Sequence, residues 1–263
     1  MVVASTMRYI SNIFPSSLVI ISIILFWELA VWFWEIPRGI LPAPSQIMGE
    51  AVRLRSVLFG HALTTLTEAL VGLFFAIFVG AIVGALIASF SLIRSALLPI
   101  LVITQNIPMM VLAPLIVVWF GFGIQPKIGI VTLVCFFPIA INTADALLRS
   151  DQELLELLKS MGATRWQLLK LVRIPQALPA FFSGLQIAAT YAILGAVFSE
   201  FAGGTSGLWL FIGRSQRAYR TDQMFVAVVL IAVLSICLFL LVRWIARVAM
   251  PWHSSDGPMY SDR

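Results

Sequence analysis

Long apolar runs recur along the chain, separated by more polar intervals. They fall at 18–34, 69–90, 95–122, 128–144, 178–198 and 224–242. The run 69–90 has no charged residue, and as a helix rising 1.5 Å per residue it reaches about 33 Å, enough to cross a bilayer. Six such runs predict an all-α integral membrane protein with six transmembrane helices and both termini on one side. In hydrocarbon only a helix or a closed barrel satisfies its own backbone. The first run holds one charge, Glu28, and bulky Trp27, Trp32 and Trp34, which suit an interfacial belt rather than a cleaved leader.

Several runs contain positions that a plain lipid-facing helix does not need. Gly80 and Gly84 form a small-x-x-x-small pair, which lets another helix of the same subunit come close. The run 95–122 is interrupted by Pro99, Pro108 and Pro114, with Gln105 and Asn106 just before the second proline. Proline frees backbone carbonyls, and polar side chains in lipid need partners. A kinked span with two readings follows: a translocation path, or hydrogen bonding between helices. Asn142, near the end of 128–144, and Tyr191, beside Gln186 and Thr190 on the fifth run, join Gln105 and Asn106 as path candidates. Asp145 reads as a loop anchor. Glu200, past the fifth run, is expected to be wetted at the membrane interface.

Among the polar intervals, 35–67 opens with Pro37, Pro42 and Pro44, and Ser45 is placed to cap an amphipathic helix through Ile47, Val52 and Leu54. Residues 91–94 read as a tight turn. Gly203, Gly204 and Gly207 open a loop that also carries Arg214, Arg217 and Arg220. The polar interval 149–175 is different because its pattern reads as helical throughout. Leu154, Leu157, Leu158 and Met161 recur at spacings of three and four. Gly162 breaks the pattern, Thr164 can cap a restart, and Trp166, Leu169 and Val172 carry a second stripe. Two amphipathic helices joined at a glycine suit a docking surface for another protein; a helix lying on the membrane surface is the plainer alternative.

Composition sharpens the class. Of 263 residues, 60% are hydrophobic and 11% charged, against about 25% charged in an average soluble domain. One membrane domain, 1–263, accounts for the chain. The net charge of +5 comes from basic residues scattered between apolar runs, which fits membrane flanks better than nucleic acid. More of the 17 Lys and Arg lie on the side of the termini and the 149–175 loop, including Arg8, Arg94, Arg243, Arg247 and Arg263. That bias places the loop in the cytoplasm. Cys135 and Cys237 sit in apolar runs as small core residues, and His61 and His253 are isolated, so no metal site is expected. The chain has no G-x-x-x-x-G-K-[ST], G-x-S-x-G or H-E-x-x-H sequence. It reads as a non-enzyme that binds no ATP or other cofactor of its own, and uphill transport would draw energy from elsewhere.

The loop supplies a more specific signal. Glu156, two leucines, three variable residues, then Gly162 and Ala163, with Pro175 thirteen positions after the glycine, resemble the EAA loop of ABC-importer permeases. The runs LPAPSQI, QNIPMMVLAPLIVVWFGFG and KIGIVTLVCFFPIAINTADAL are similar to the nitrate, sulfonate and taurine branch, and most of all to permeases for thiamine pyrimidine precursors. The resemblance covers about 41–248 and departs at Glu68, where many of the branch carry arginine.

The resemblance implies the type I ABC importer transmembrane fold, with 149–175 as a cytoplasmic coupling-helix loop between helices 4 and 5. Glu156, Gly162, Ala163, Trp166 and Pro175 would dock on a separate ABC ATP-binding subunit, which alone binds ATP. It further implies an extracytoplasmic solute-binding protein, a permease homodimer, and multi-pass placement in the bacterial inner membrane with both termini cytoplasmic. A taurine, alkanesulfonate or nitrate importer permease is the alternative substrate reading. An ion-coupled secondary transporter, with Glu28 and Glu68 as coupling carboxylates, is the alternative class.

Overall fold

The computed structural model describes Val2 to Trp252, with side chains from Ser17 onward. The Arg8 side chain, His253 and Arg263 lie outside the described residues. The described chain is helical: α1 (Val2–Phe33), α2 (Pro44–Arg53), α3 (Arg55–Ser89), α4 (Ser91–Gln105), α5 (Met109–Phe120), α6 (Ile124–Leu148), α7 (Gln152–Ser160), α8 (Arg165–Leu168), α9 (Ile174–Gly203), α10 (Leu208–Arg217) and α11 (Thr221–Ala249). A π turn, Leu169–Arg173, joins α8 to α9. Among the described residues four helical stretches, against the six predicted, are each long and apolar enough to cross a membrane, Arg55–Ser89, Ile124–Leu148, Arg165–Gly203 and Thr221–Ala249, and the bent pair Ser91–Gln105 with Met109–Phe120 makes a fifth if it is one span. The apolar part of α1, Ser17–Phe33, is shorter.

The predicted span 95–122 is not one kinked helix. α4 and α5 meet at 103°. Only the middle proline breaks the chain: Pro99 and Pro114 lie inside helices, whereas Pro108 is the extended residue before α5, with φ −61° and ψ 126°. The ring disfavours helical geometry at the preceding residue, and the direction changes there. The expected turn at 91–94 shrinks to Phe90, and Ser91 already begins α4. The predicted span 69–90 is the second half of a longer helix, α3. The second half of the 149–175 loop is not a separate helix either, since α8 runs through the π turn into α9.

The chain divides into two compact units, Met1–Gly60 with Phe211–Leu230, and His61–Leu210 with Ile231–Arg263. In the first, Ile47, Leu58, Phe211, Val226 and Ala227 form the core. Arg220 Nη2 and Gln223 Nε2 both donate to Glu50 Oε1, at 2.9 and 2.8 Å. Ser45 does not cap α2. Ala43 takes the cap position, with Pro44 at the start of the helix, and the Ser45 hydroxyl donates instead to Glu28 Oε1 at 2.6 Å. The first helical N–H groups need no internal partner, so proline costs little there.

In the second unit α6 and α9 make the most extensive helix pair. Val131, Cys135 and Ile139 of α6 pack on Ala188, Ala189, Ala192 and Ala196 of α9, with Ala69, Leu73 and Ala76 of α3 alongside. Alanine and glycine dominate this seam because lipid tails are as apolar as leucine, so helices associate through close contact rather than by escaping water. A β-carbon on Gly80 would lie 2.8 Å from Ile139 Cβ, and one on Gly84 would lie 2.7 Å from the Ala140 carbonyl oxygen. The small-residue pair therefore packs within the subunit. Cys135 belongs to this core, but Cys237 is exposed on α11, contrary to the expectation that both are core residues. A cysteine in an apolar run can equally face lipid.

Gly80→Val is expected to destabilise the α3–α6 contact by about 1–3 kcal/mol, the usual cost of overpacking. Gly129→Ala on α6, with nothing within 4 Å of the new methyl, should be near neutral. Thermal unfolding of the two detergent-purified variants makes the comparison, and equal midpoints would contradict the seam.

Candidate functional site

The loop 149–175 is built on a small core of its own. Asp151 caps α7, with Oδ1 accepting from Leu154 N at 3.1 Å, and Lys159 lies in the last turn where the helix dipole favours a cation. Gly162 follows at φ +86°, a left-handed conformation that glycine adopts without strain. Thr164 then starts α8 as expected. Its hydroxyl accepts from Gln167 N at 3.3 Å, and Gln167 Oε1 accepts from Thr164 N at 2.7 Å, a reciprocal capping box. Leu155, Leu168 and Val172 are buried together, with Leu158 and Ala163 against them. Gln176 of α9 closes the base, its Oε1 accepting from Asp151 N at 3.1 Å. Pro175, lacking an N–H, is the second residue of α9, directly after the π turn.

The apolar stripes read from the sequence divide between two faces of this loop: Leu158 and Val172 join the inner core, whereas Leu157, Met161 and Trp166 face outward. Leu157, Met161 and Trp166 are 57%, 74% and 69% exposed, and Glu156 is exposed beside them. Leu155 and Leu168, which sequence periodicity did not single out, turn inward instead. Both stripes are apolar, so spacing alone could not say which one the fold would cover.

A cavity of about 500 Å³ opens where the α4–α5 break meets α6 and α9. Gln105, Met109, Phe137, Pro138, Tyr191 and Phe198 are among its lining residues. Of the four path candidates, the structure brings Gln105 and Tyr191 together there. Asn106 and Asn142 are not in the lining. Each turns back on its own helix, Asn106 Nδ2 donating to the Val102 carbonyl and Asn142 Nδ2 to the Pro138 carbonyl, both at 2.7 Å. A short amide can return to the carbonyl four residues back and so satisfy itself in an apolar setting.

A charged cluster escaped the sequence reading. Glu200 is not wetted at an interface but buried at 2% exposure, because α9 continues to Gly203. Its Oε1 accepts from the Thr65 hydroxyl and its Oε2 from Trp209 N at 2.8 Å. Thr65 Oγ1 accepts from Leu208 N at 3.0 Å, and His61 Nδ1 from Gly207 N at 3.1 Å. Three consecutive backbone N–H groups at the start of α10 thus end on α3 and α9 side chains. Such groups have no partner inside their own helix. Three residues after Thr65, Glu68 accepts from Lys127 in a buried ion pair, Nζ to Oε1 at 2.7 Å. The pairing of Glu68 with a lysine from α6 gives its charge a structural partner.

This helical membrane protein, with a glycine-jointed exposed loop before α9, defines a transport permease. Residues 72–250 match the family model described as binding-protein-dependent transport system inner membrane component. The chain belongs to that family and is an ABC importer permease subunit, in the branch that the sequence runs suggested. It is similar to the formylaminopyrimidine transport permease protein ThiX of Halalkalibacterium halodurans, 32% identical over 88% of this chain and 96% of that protein. The riboflavin transport system permease protein RibX of Chloroflexus aurantiacus is 35% identical over 89% and 88%. The taurine transport system permease protein TauC of Escherichia coli is 29% identical over 81% and 80%. Among solved structures, a chain of the inward-facing MetNI methionine ABC transporter matches with a TM-score of 0.64 at 24% identity, over 74% of this chain and 97% of that one. That likeness gives the fold, the type I ABC importer fold.

Lys127→Met strands the Glu68 carboxylate in an apolar interior and is expected to cost about 3–5 kcal/mol, whereas Lys127→Met with Glu68→Leu should recover most of that loss. Unfolding midpoints of the single and double variants test this, and a double variant as unstable as the single would argue against the ion pair.

Proposed function

We propose that this chain is the membrane half of an ATP-driven importer for a small organic nutrient, a thiamine pyrimidine precursor. It works as a homodimer in the bacterial inner membrane with both termini and the 149–175 loop in the cytoplasm. A separate ABC subunit binds and hydrolyses ATP, and an extracytoplasmic binding protein delivers the solute. The observation that carries the coupling role is the exposed face of the loop, with Leu157, Met161 and Trp166 open to a partner over a rigid inner core. In a loop that only linked two spans, exposed leucine, methionine and tryptophan would be an unexplained apolar patch.

In this reading closure of the ATP-binding dimer carries α7 and α8 with it. Because α8 continues into α9, the movement passes into a membrane helix without a flexible joint between. The hinge is then Gly162, and the motion is of the hinge and shear kind. Similarity to ThiX and RibX supports a ring-bearing nutrient. Similarity to TauC supports the alternative, a taurine, alkanesulfonate or nitrate solute. Coupling to an ion gradient is the weaker reading, since Glu68 is ion-paired and Glu28 accepts from Ser45.

The test is uptake into proteoliposomes holding the complete complex, with labelled formylaminopyrimidine and labelled taurine offered separately. ATP-dependent accumulation of the pyrimidine is expected, and accumulation of taurine alone would move the assignment to the alternative. Gly162→Pro, which cannot adopt a positive φ, should leave the protein inserted and dimeric but remove ATP hydrolysis stimulated by loaded binding protein. Stimulation at the normal level would contradict the hinge. Glu156→Lys should reduce co-purification of the ATP-binding subunit, because the flank of the docking helix reverses its charge.

A further inference from the structure

Most polar side chains along the membrane helices of the second unit satisfy themselves. Besides Asn106 and Asn142, Thr143 Oγ1 donates to the Ile139 carbonyl at 2.6 Å, Ser183 Oγ to the Pro179 carbonyl at 3.0 Å and Thr190 Oγ1 to the Gln186 carbonyl at 3.1 Å. A side chain bonded to its own helix tolerates lipid or a packed interior equally well. Gln105 and Tyr191 are different. Among the described residues neither the Gln105 amide nor the Tyr191 hydroxyl has a hydrogen-bond partner, and both line the cavity. Polar groups left open at membrane depth are costly unless water or a solute meets them.

The rest of the cavity wall restricts what that solute can be. Phe137, Phe198 and the Tyr191 ring supply flat apolar faces, and no Lys, Arg or His lines it. A sulfonate or nitrate entering such a space would give up its hydration with no cationic side chain to replace it. A planar ring with nitrogen acceptors and donors on its edge would instead stack on the aromatic faces. The Gln105 amide, both donor and acceptor, and the Tyr191 hydroxyl would meet the ring edge. Met109, the first residue of α5, is also at the wall. Val111 N and Leu112 N already donate to the Pro108 carbonyl, which leaves the Met109 N–H, with no side-chain cap, as a further donor suited to a ring nitrogen or carbonyl.

We infer that this cavity is a transit site for an uncharged nitrogen heteroaromatic ring, stacked on Tyr191 and bonded at its edge by Gln105. The inference rests on the proposed pyrimidine importer and adds a selectivity step inside the membrane, beyond that of the binding protein. Gln105 and Tyr191 act here as specificity-determining residues.

The experiment uses the complete complex in proteoliposomes, with labelled formylaminopyrimidine as solute and Gln105→Leu, Tyr191→Phe and Tyr191→Ala as variants. Each is also assayed for ATP hydrolysis stimulated by loaded binding protein, which reports folding and coupling independently of the ring site. Gln105→Leu is expected to lower uptake efficiency about tenfold, the worth of one or two hydrogen bonds. Tyr191→Ala should lose about tenfold or more, in line with loss of an aromatic stacking partner. Tyr191→Phe, which keeps the ring, should lose less than Tyr191→Ala. Stimulated hydrolysis should persist in all three. If the wild type accumulates the pyrimidine and all variants match it, the transit site is wrong while the importer reading stands. If the wild type accumulates taurine and no pyrimidine, the substrate reading falls and the ring site falls with it. If Tyr191→Ala loses hydrolysis as well as uptake, Tyr191→Phe and Gln105→Leu decide: normal uptake in both overturns the site.

Discussion

Hydrocarbon offers no hydrogen bonds, and nearly every feature of this protein answers to that. The backbone answers by being helical through each apolar run. Short side chains answer by bonding to a carbonyl one turn back, as Asn142 does to Pro138 and Thr143 to Ile139. Charges answer by pairing, as Lys127 does with Glu68. The N–H groups that open α10 answer by ending on His61, Thr65 and Glu200. Where a polar group answers in none of these ways, as at Gln105 and Tyr191, it is left open to the cavity beside α6 and α9.

With no water to drive helices together, association depends on contact, and contact depends on small residues. The alanines of α9 and the glycines of α3 bring both helices onto α6 at distances that a larger side chain would prevent. The cavity sits beside this seam. Pro138 and Gly195 belong to its wall, so the α6–α9 packing that holds the unit together also sets one side of the cavity. The opposite side is set by the Pro108 break, which directs Gln105 and Met109 toward α6 and α9.

The loop 149–175 joins the same framework by a different means. Its inner leucines bury against each other, and Gln176 ties its start to α9. Because α8, the π turn and α9 follow without interruption, the exposed face around Trp166 and the wall residue Tyr191 belong to one helical stretch. A partner that moved the loop would act on α9 directly.

The sequence by itself determined that the chain is helical and membrane-embedded. Uncharged runs of bilayer length admit no other backbone solution, and the Glu156, Gly162, Ala163, Pro175 spacing is specific enough to indicate a family. Local chemistry was also legible: the Thr164 cap and the Gly162 turn depend on residues a few positions apart, and both are present in the structure. The tertiary structure alone decided which apolar positions on the loop turned inward, since Leu154 and Leu155 are equally apolar and only the packing of α8 and the π turn separates them. It also decided which of three prolines broke a span, and which polar residues bonded to their own helix rather than facing the cavity. The Glu68–Lys127 pair lies 59 positions apart and the Thr65–Glu200 contact 135. No local pattern encodes such pairs, because the energy that selects them appears only when the helices carrying them have packed.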